Sequence, residues 1–186
     1  MTTHTSKGEQ RRQQVLEAAS GVLMAEGFRA LTHRRVALAA GVPLGTTTYY
    51  FTSRGDLVRA TVGVLIEDER GRRAGVRVQD PSIPSVAHAL VELLLPPGPA
   101  SPRAQASLIY ERLAEGVRDP IIADLIREDY ADLEAQVARV LVALSPAPDP
   151  GTVLALADGR VLRWLFSEGG VADLEDLVAS DLRWLG

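Results

Sequence analysis

A chain of 186 residues with 46% apolar and 24% charged residues has room for one or two packed domains and is too apolar for disorder. It contains no cysteine, which excludes disulfides, thiolate chemistry and cysteine-ligated zinc. No apolar run approaches the roughly 18 residues of a membrane span, and the polar start MTTHTSKGEQRRQQ lacks the apolar core of a signal peptide, so the expected compartment is the cytoplasm.

The net charge of −4 hides an asymmetry. Residues 1–78 carry 12 Lys and Arg against 7 Asp and Glu, a net of +5, whereas residues 79–186 carry 8 against 17, a net of −9. A basic first part on an acidic remainder suggests a polyanion-binding head on a body that does not touch the polyanion.

In chain order, Val15, Leu16, Ala19, Val22 and Leu23 recur with the helical period and give the first helix one apolar face, closed by Gly27 with Phe28 packing back. Thr32 reads as the N-cap of a short helix whose inner face is Val36, Ala37 and Ala40, stopped by Gly41. A second short helix follows from about Leu44 to Phe51. Ser53 opens the next, with Asp56 placed three residues on as in a capping box.

Beyond the charged stretch Glu67–Arg77, prolines punctuate longer helices. One candidate runs from about Ser82 to Leu95, ahead of the loop Pro96–Pro102, and Ser101-Pro102, Asp119-Pro120 and Asp149-Pro150 each read as an N-cap followed by proline at the first helical position. A stripe of Ile122, Ile126, Tyr130, Leu133, Val137, Leu141 and Leu144 marks one long helix. Gly169-Gly170 separates the last two. No strand pattern stands out. The expected fold class is all-α with about nine helices: a domain over residues 1–55 and a second over 56–186.

Two short helices about a tight glycine turn, set on a longer first helix, form a helix-turn-helix unit, whose second helix enters the DNA major groove. This accounts for the composition of GVPLGTTTYYFTSRGDL at residues 41–57. Threonine offers a hydroxyl to base edges or phosphates and a methyl to thymine, and tyrosine reaches phosphate oxygens. The bland alternative for this segment is a surface helix with half-buried tyrosine rings.

Residues 11–59 resemble the DNA-binding domain of the TetR family of transcriptional regulators. The likeness rests on RRQQVLEAASGVLMAEGF, LTHRRVALAAGV, GTTTYYF and SRGDL at the family's spacing. It departs from the family pattern at Pro43, where a capping Ser is usual, and at Thr48, where a Tyr is usual. Arg54 stands in place of the usual Lys.

The resemblance implies DNA contacts from Thr32, His33 and Arg34 at the start of the second helix, from Leu44, Gly45, Thr46, Thr47 and Thr48 in the groove, and from Tyr49 or Tyr50 and Arg54 on phosphate. Of Arg34 and Arg35, one is expected to pair with an acid. Lys7, Arg11 and Arg12 read either as a phosphate-binding arm or as a solvated tail.

The same resemblance implies a small-molecule effector cavity in the helical body, with Ile66, His88, Tyr110, Glu111, Arg112 and Tyr130 as candidates, although His88 also reads as a core histidine. It further implies a homodimer through Leu156, Gly159, Leu162, Leu165, Phe166, Leu174, Leu177 and Trp184. A dimer suits a pseudopalindromic double-stranded operator. No cofactor and no metal site is expected.

The function so implied is a ligand-responsive repressor released from its operator by a small molecule. An all-α enzyme and an effector-independent DNA-binding protein are the competing readings. The first lacks any Ser-His-Asp or metal-spaced cluster in the sequence.

Overall fold

Side chains at helix starts decide where this chain becomes helical. The computed structural model describes residues 7–98 and 100–185. Residues 1–6 of the polar start, Pro99 in the Pro96–Pro102 loop and Gly186 lie outside the described residues. Among the described residues there are nine α-helices and no strand.

Helix α1 spans Lys7–Glu26, followed by a single 3-10 turn at Phe28–Ala30. α2 (His33–Ala40) begins at Thr32, whose hydroxyl oxygen accepts the Arg35 amide. α3 (Leu44–Tyr50) begins at Pro43, which makes no side-chain cap. α4 (Arg54–Arg73) begins with a reciprocal capping box: the Asp56 carboxylate accepts the Ser53 amide at 3.0 Å, and Ser53 Oγ accepts the Asp56 amide at 3.0 Å.

The remaining helices are α5 (Ile83–Leu94), α6 (Pro102–Gly116), α7 (Pro120–Leu141), α8 (Pro150–Leu165) and α9 (Val171–Leu185). Ser82, Ser101, Asp119 and Asp149 accept the first free amides of α5, α6, α7 and α8. α7 stops at Leu141, so Leu144 lies beyond the helix that the stripe predicts.

Asp56 is held at about 2, below the usual carboxylate range, by hydrogen bonds from Thr52, Arg59 and Ser53. A depressed folded pKa means that the contribution is complete above the unfolded pKa of about 4 and is lost as pH falls through about 2. Asp56→Ala is therefore expected to lower the melting temperature at neutral pH, with the gap to wild type closing on acidification. Equal melting temperatures at neutral pH would remove the box from the list of stabilising contacts.

The chain divides into two compact units, residues 1–68 with 111–123 and residues 69–110 with 124–186. The expected boundary at 55/56 falls inside α4 instead. In the first unit α1 packs on α2 and α2 on α3. Its buried side chains include Val15, Leu16, Leu23, Phe28, Leu31, Val36, Phe51, Leu57 and Val62.

The second unit has its own core, built from α5, α7, α8 and α9 around Leu90, Leu93, Leu133, Leu141, Val161, Trp164 and Leu174. Part of the charged stretch is interior: Arg73 donates to Leu93 O at 2.9 Å and to Asp129 Oδ1 at 2.7 Å, with both side chains only 2% exposed. Arg103 receives the C-terminal end of α8, donating to Trp164 O and Leu165 O at 2.9 Å each, where a cation suits the helix dipole.

Candidate nucleic-acid interface

The turn between α2 and α3 is set by Gly41, whose φ of 64° and ψ of 36° place it in the left-handed region. The Val42 amide returns to Ala37 O at 3.0 Å. A further long-range tie fixes this arrangement, since Gln14 of α1 donates to Ala40 O at 2.9 Å.

Seven residues of α3 cannot turn three consecutive threonines the same way, because each step rotates the side chain by about 100°. Thr46 is half-buried, Thr48 is exposed with its hydroxyl donating to Gly45 O at 3.2 Å, and Thr47 is 0% exposed with its hydroxyl donating to Leu44 O at 2.9 Å. Thr47 thus packs inside the unit and does not face a groove, contrary to expectation. Leu44 and Gly45 are exposed.

The two tyrosines part company. Tyr49 is 79% exposed, and Tyr50 is half-buried with its ring edge-on to Tyr49 at a centroid distance of 5.0 Å. Tyr49 is therefore the freer of the pair to reach a phosphate.

On α2, Arg34 is exposed and makes no ion pair among the described residues, whereas Arg35 pairs with Glu26. This is the division expected of the two arginines. His33 is half-buried with its Nδ1 lacking a partner, and Thr32 is half-buried as the cap. Leu38 on the same helix is 77% exposed, a feature the apolar pattern does not reveal.

Arg54 differs from its expected role. Its Nε donates to Leu31 O at 3.0 Å and its Nη2 to Phe28 O at 2.7 Å, so the edge that would clamp a phosphate is turned onto backbone. Lys7, Arg11 and Arg12 lie within α1 and do not form a trailing arm. Arg11 donates to Gln14, and Arg12 stands over the Phe51 ring at 5.4 Å.

The six effector candidates divide between the units. Ile66 and Arg112 are buried in the first, and Glu111 caps the 3-10 turn there by accepting the Phe28 amide at 3.2 Å. In the second unit, Tyr110 donates to Asp158 O at 2.8 Å, and Tyr130 is half-buried. His88 is not a core residue: its side chain is 47% exposed, with Nδ1 2.9 Å from Glu175.

A cavity of about 530 Å3 in the second unit is lined by residues that the sequence does not single out, among them Arg73, Arg77, Gln136 and Arg139. Asp158 likewise went unmarked, because ADGR within α8 reads as a polar helix face.

On α8, the Phe166 cap that closes it and α9, Leu156, Leu162, Phe166, Leu177 and Trp184 are exposed apolar side chains, Gly159 is exposed with open space around it, and Leu165 is half-buried. Leu174 is an exception to the expected dimer face, being 0% exposed within its own chain's core.

A helix-turn-helix unit with an exposed polar second helix, in a chain whose other unit is also all-helical, defines the class of helical transcriptional regulators. Residues 15–61 match the family model described as bacterial regulatory proteins, tetR family. The chain is 28% identical, over 72% of its length and 68% of the relative's, to the HTH-type nicotine-responsive transcriptional repressor HdnoR of Paenarthrobacter nicotinovorans.

Among solved structures it is similar to the multidrug binding protein EbrR complexed with imidazole, at 30% identity over 94% of each chain and a TM-score of 0.65. A transcriptional regulator from Saccharomonospora viridis in complex with choline shares the fold at 22% identity, covering 95% of this chain and 97% of that one with a TM-score of 0.76. The chain belongs to the TetR family of transcriptional regulators.

Proposed function

We propose that this regulator is a homodimeric, cytoplasmic repressor that leaves a pseudopalindromic operator when a small organic cation binds its second unit. The observation that carries the DNA part is the face presented by α2 and α3: Arg34, Thr46, Thr48 and Tyr49 are at least partly exposed, and Thr47 is turned inward to hold the helix in place.

The effector class is supported by chemistry that the relatives share. Nicotine is a basic amine, choline a quaternary ammonium, and HdnoR and the S. viridis regulator are described with these molecules. Ligand binding shifts a population only by its differential affinity for the two states, so such an effector must bind the released form more tightly.

Binding to DNA flanking the gene, with organic cations tested for release, examines the whole reading. Thr46→Ala is expected to change operator preference at one position per half-site, by about 1–3 kcal/mol. Thr47→Ala is expected to leave preference unchanged and to lower stability by about 1 kcal/mol, since it removes a buried methyl and a satisfied hydroxyl. Competition binding against single-base operator variants and thermal melts separate the two. A preference change from Thr47→Ala and none from Thr46→Ala would mean that the register assigned to α3 is wrong.

A further inference from the structure

The arginine-lined cavity of the second unit plays no part in the reading of the effector as a cation. Its volume of about 530 Å3 falls within the roughly 300–1,000 Å3 of small-molecule sites. The end of α4, the segment that follows it, α5 and α7 all contribute to its wall.

Part of that wall is apolar. Leu93 of α5 and Val140 of α7 belong to the core of the unit, and Val76 and Val78 pack against it. The other feature is charge: Arg73, Arg77 and Arg139 line the cavity, and none of its lining residues is acidic.

The three charges are not equally free. Arg73 is buried and already balanced, by Asp129 at 2.7 Å and Glu69 at 3.5 Å. Gln136, also in the lining, is committed as well, donating to Asp132 at 2.6 Å. That carboxylate in turn faces Arg70 at 4.0 Å.

Arg77 and Arg139 differ from these, and both are exposed. Arg77 donates only to the carbonyl oxygens of Ala74 and Val76, at 2.7 Å each from Nη1, and pairs with no carboxylate among the described residues. Arg139, in the last turn of α7, makes no hydrogen bond or ion pair among the described residues. Both positions suit the carbonyl end of a helix, but a helix end carries only about half a charge and leaves each guanidinium with N–H donors to spare.

We propose that this cavity binds a small organic anion, a carboxylate carried on an apolar body. The carboxylate meets Arg77 and Arg139, whose planar N–H groups match its two oxygens, and the body covers Val76, Val78, Leu93 and Val140. An inorganic anion would satisfy the charge and leave the apolar wall in water, and a neutral apolar molecule would do the reverse. The site goes beyond the cation effector and does not depend on it, because two uncompensated guanidinium groups repel a cation.

The test measures binding of octanoate, benzoate, acetate and octanamide to the full-length chain by calorimetry at low salt. Octanoate or benzoate should bind at or below about 1 mM, and acetate and octanamide about ten-fold more weakly or less. Arg139→Gln should weaken the tighter carboxylate about ten-fold, and Arg139→Lys should recover part of that loss. Arg77→Gln combined with Arg139→Gln should abolish binding.

Arg139 holds no contact in the free chain, so the melting curve of Arg139→Gln without ligand should match wild type, which separates loss of the charge from loss of the fold. Equal affinity of wild type and Arg139→Gln for the carboxylate would overturn the assignment. So would octanamide binding as tightly as octanoate, or no carboxylate binding wild type at about 10 mM. These titrations contain neither DNA nor an organic cation, so their result is independent of the effector reading.

Discussion

On the proposed homodimer, replacing Leu162 and Trp184 together with glutamate is expected to give monomers and to lower operator affinity by about 10²–10⁴-fold. The two side chains are 42% and 82% exposed in the single chain, and Leu156 of α8, Phe166 just after it and Leu177 of α9 are exposed apolar side chains as well. Each such side chain stabilises an interface by about 1.5–3 kcal/mol when fully covered. A two-fold interface meets each substitution twice, so the double variant brings four carboxylates into one apolar contact.

The loss at DNA follows from linkage and needs no change in α3. A dimer binds its second half-site as an intramolecular event, and a monomer does not. Sedimentation should show the mass halved, and anisotropy titrations should show whole-operator affinity falling toward that of an isolated half-site. A variant that stays dimeric and grips the operator as wild type does would show that α8 and α9 are not the interface. Leu174 is excluded from this test by its position in the core, where a charge would unfold the second unit before it reached any interface.

The contacts that the sequence makes legible are those whose partners lie within one helical turn. Thr32 with the Arg35 amide, Ser53 with Asp56, Asp119 with the Ile121 amide and Asp149 with the Thr152 amide all span two or three residues. Capping chemistry is local, so a short window contains both donor and acceptor. Helix faces are similarly legible where apolar residues recur, as with Val15, Leu16, Ala19, Val22 and Leu23, all of them buried.

Candidate site residues are legible by type and much less by direction. Thr46, Thr47 and Thr48 have the same chemistry, and only the packing of α3 on α2 decides which one turns inward. Side chains reaching across long stretches of chain are not legible at all. Glu111 bonds to an amide 83 residues away, and Tyr110 reaches a carbonyl 48 residues on. Sequence pattern holds no record of such pairings, because exposed polar residues and buried, partnered ones have the same composition.

Arg54 shows the consequence for function. As a phosphate clamp, its loss would weaken all DNA sequences equally and reduce the salt slope by about one, with stability unchanged. The structure supports a different outcome. Its guanidinium ties the start of α4 to Phe28 O and Leu31 O, on residues only 5% and 0% exposed. Arg54→Ala removes two charge-assisted hydrogen bonds, and although Phe28 O keeps the Leu31 amide at 3.2 Å, Leu31 O loses the Arg54 donor, a cost of about 3 kcal/mol to the first unit.

Arg54→Lys should recover only part of this, since one ammonium cannot span both carbonyls as a planar fork does. The measurement is a pair: chemical denaturation followed by operator titrations over a range of salt concentrations. Destabilisation with an unchanged salt slope is the expected result, and operator affinity should then recover on cooling or in a stabilising osmolyte as the folded fraction is restored. A slope reduced by one at unchanged stability would return Arg54 to the phosphate backbone. In that case the carbonyls of Phe28 and Leu31 would have to hold the turn before α2 without it.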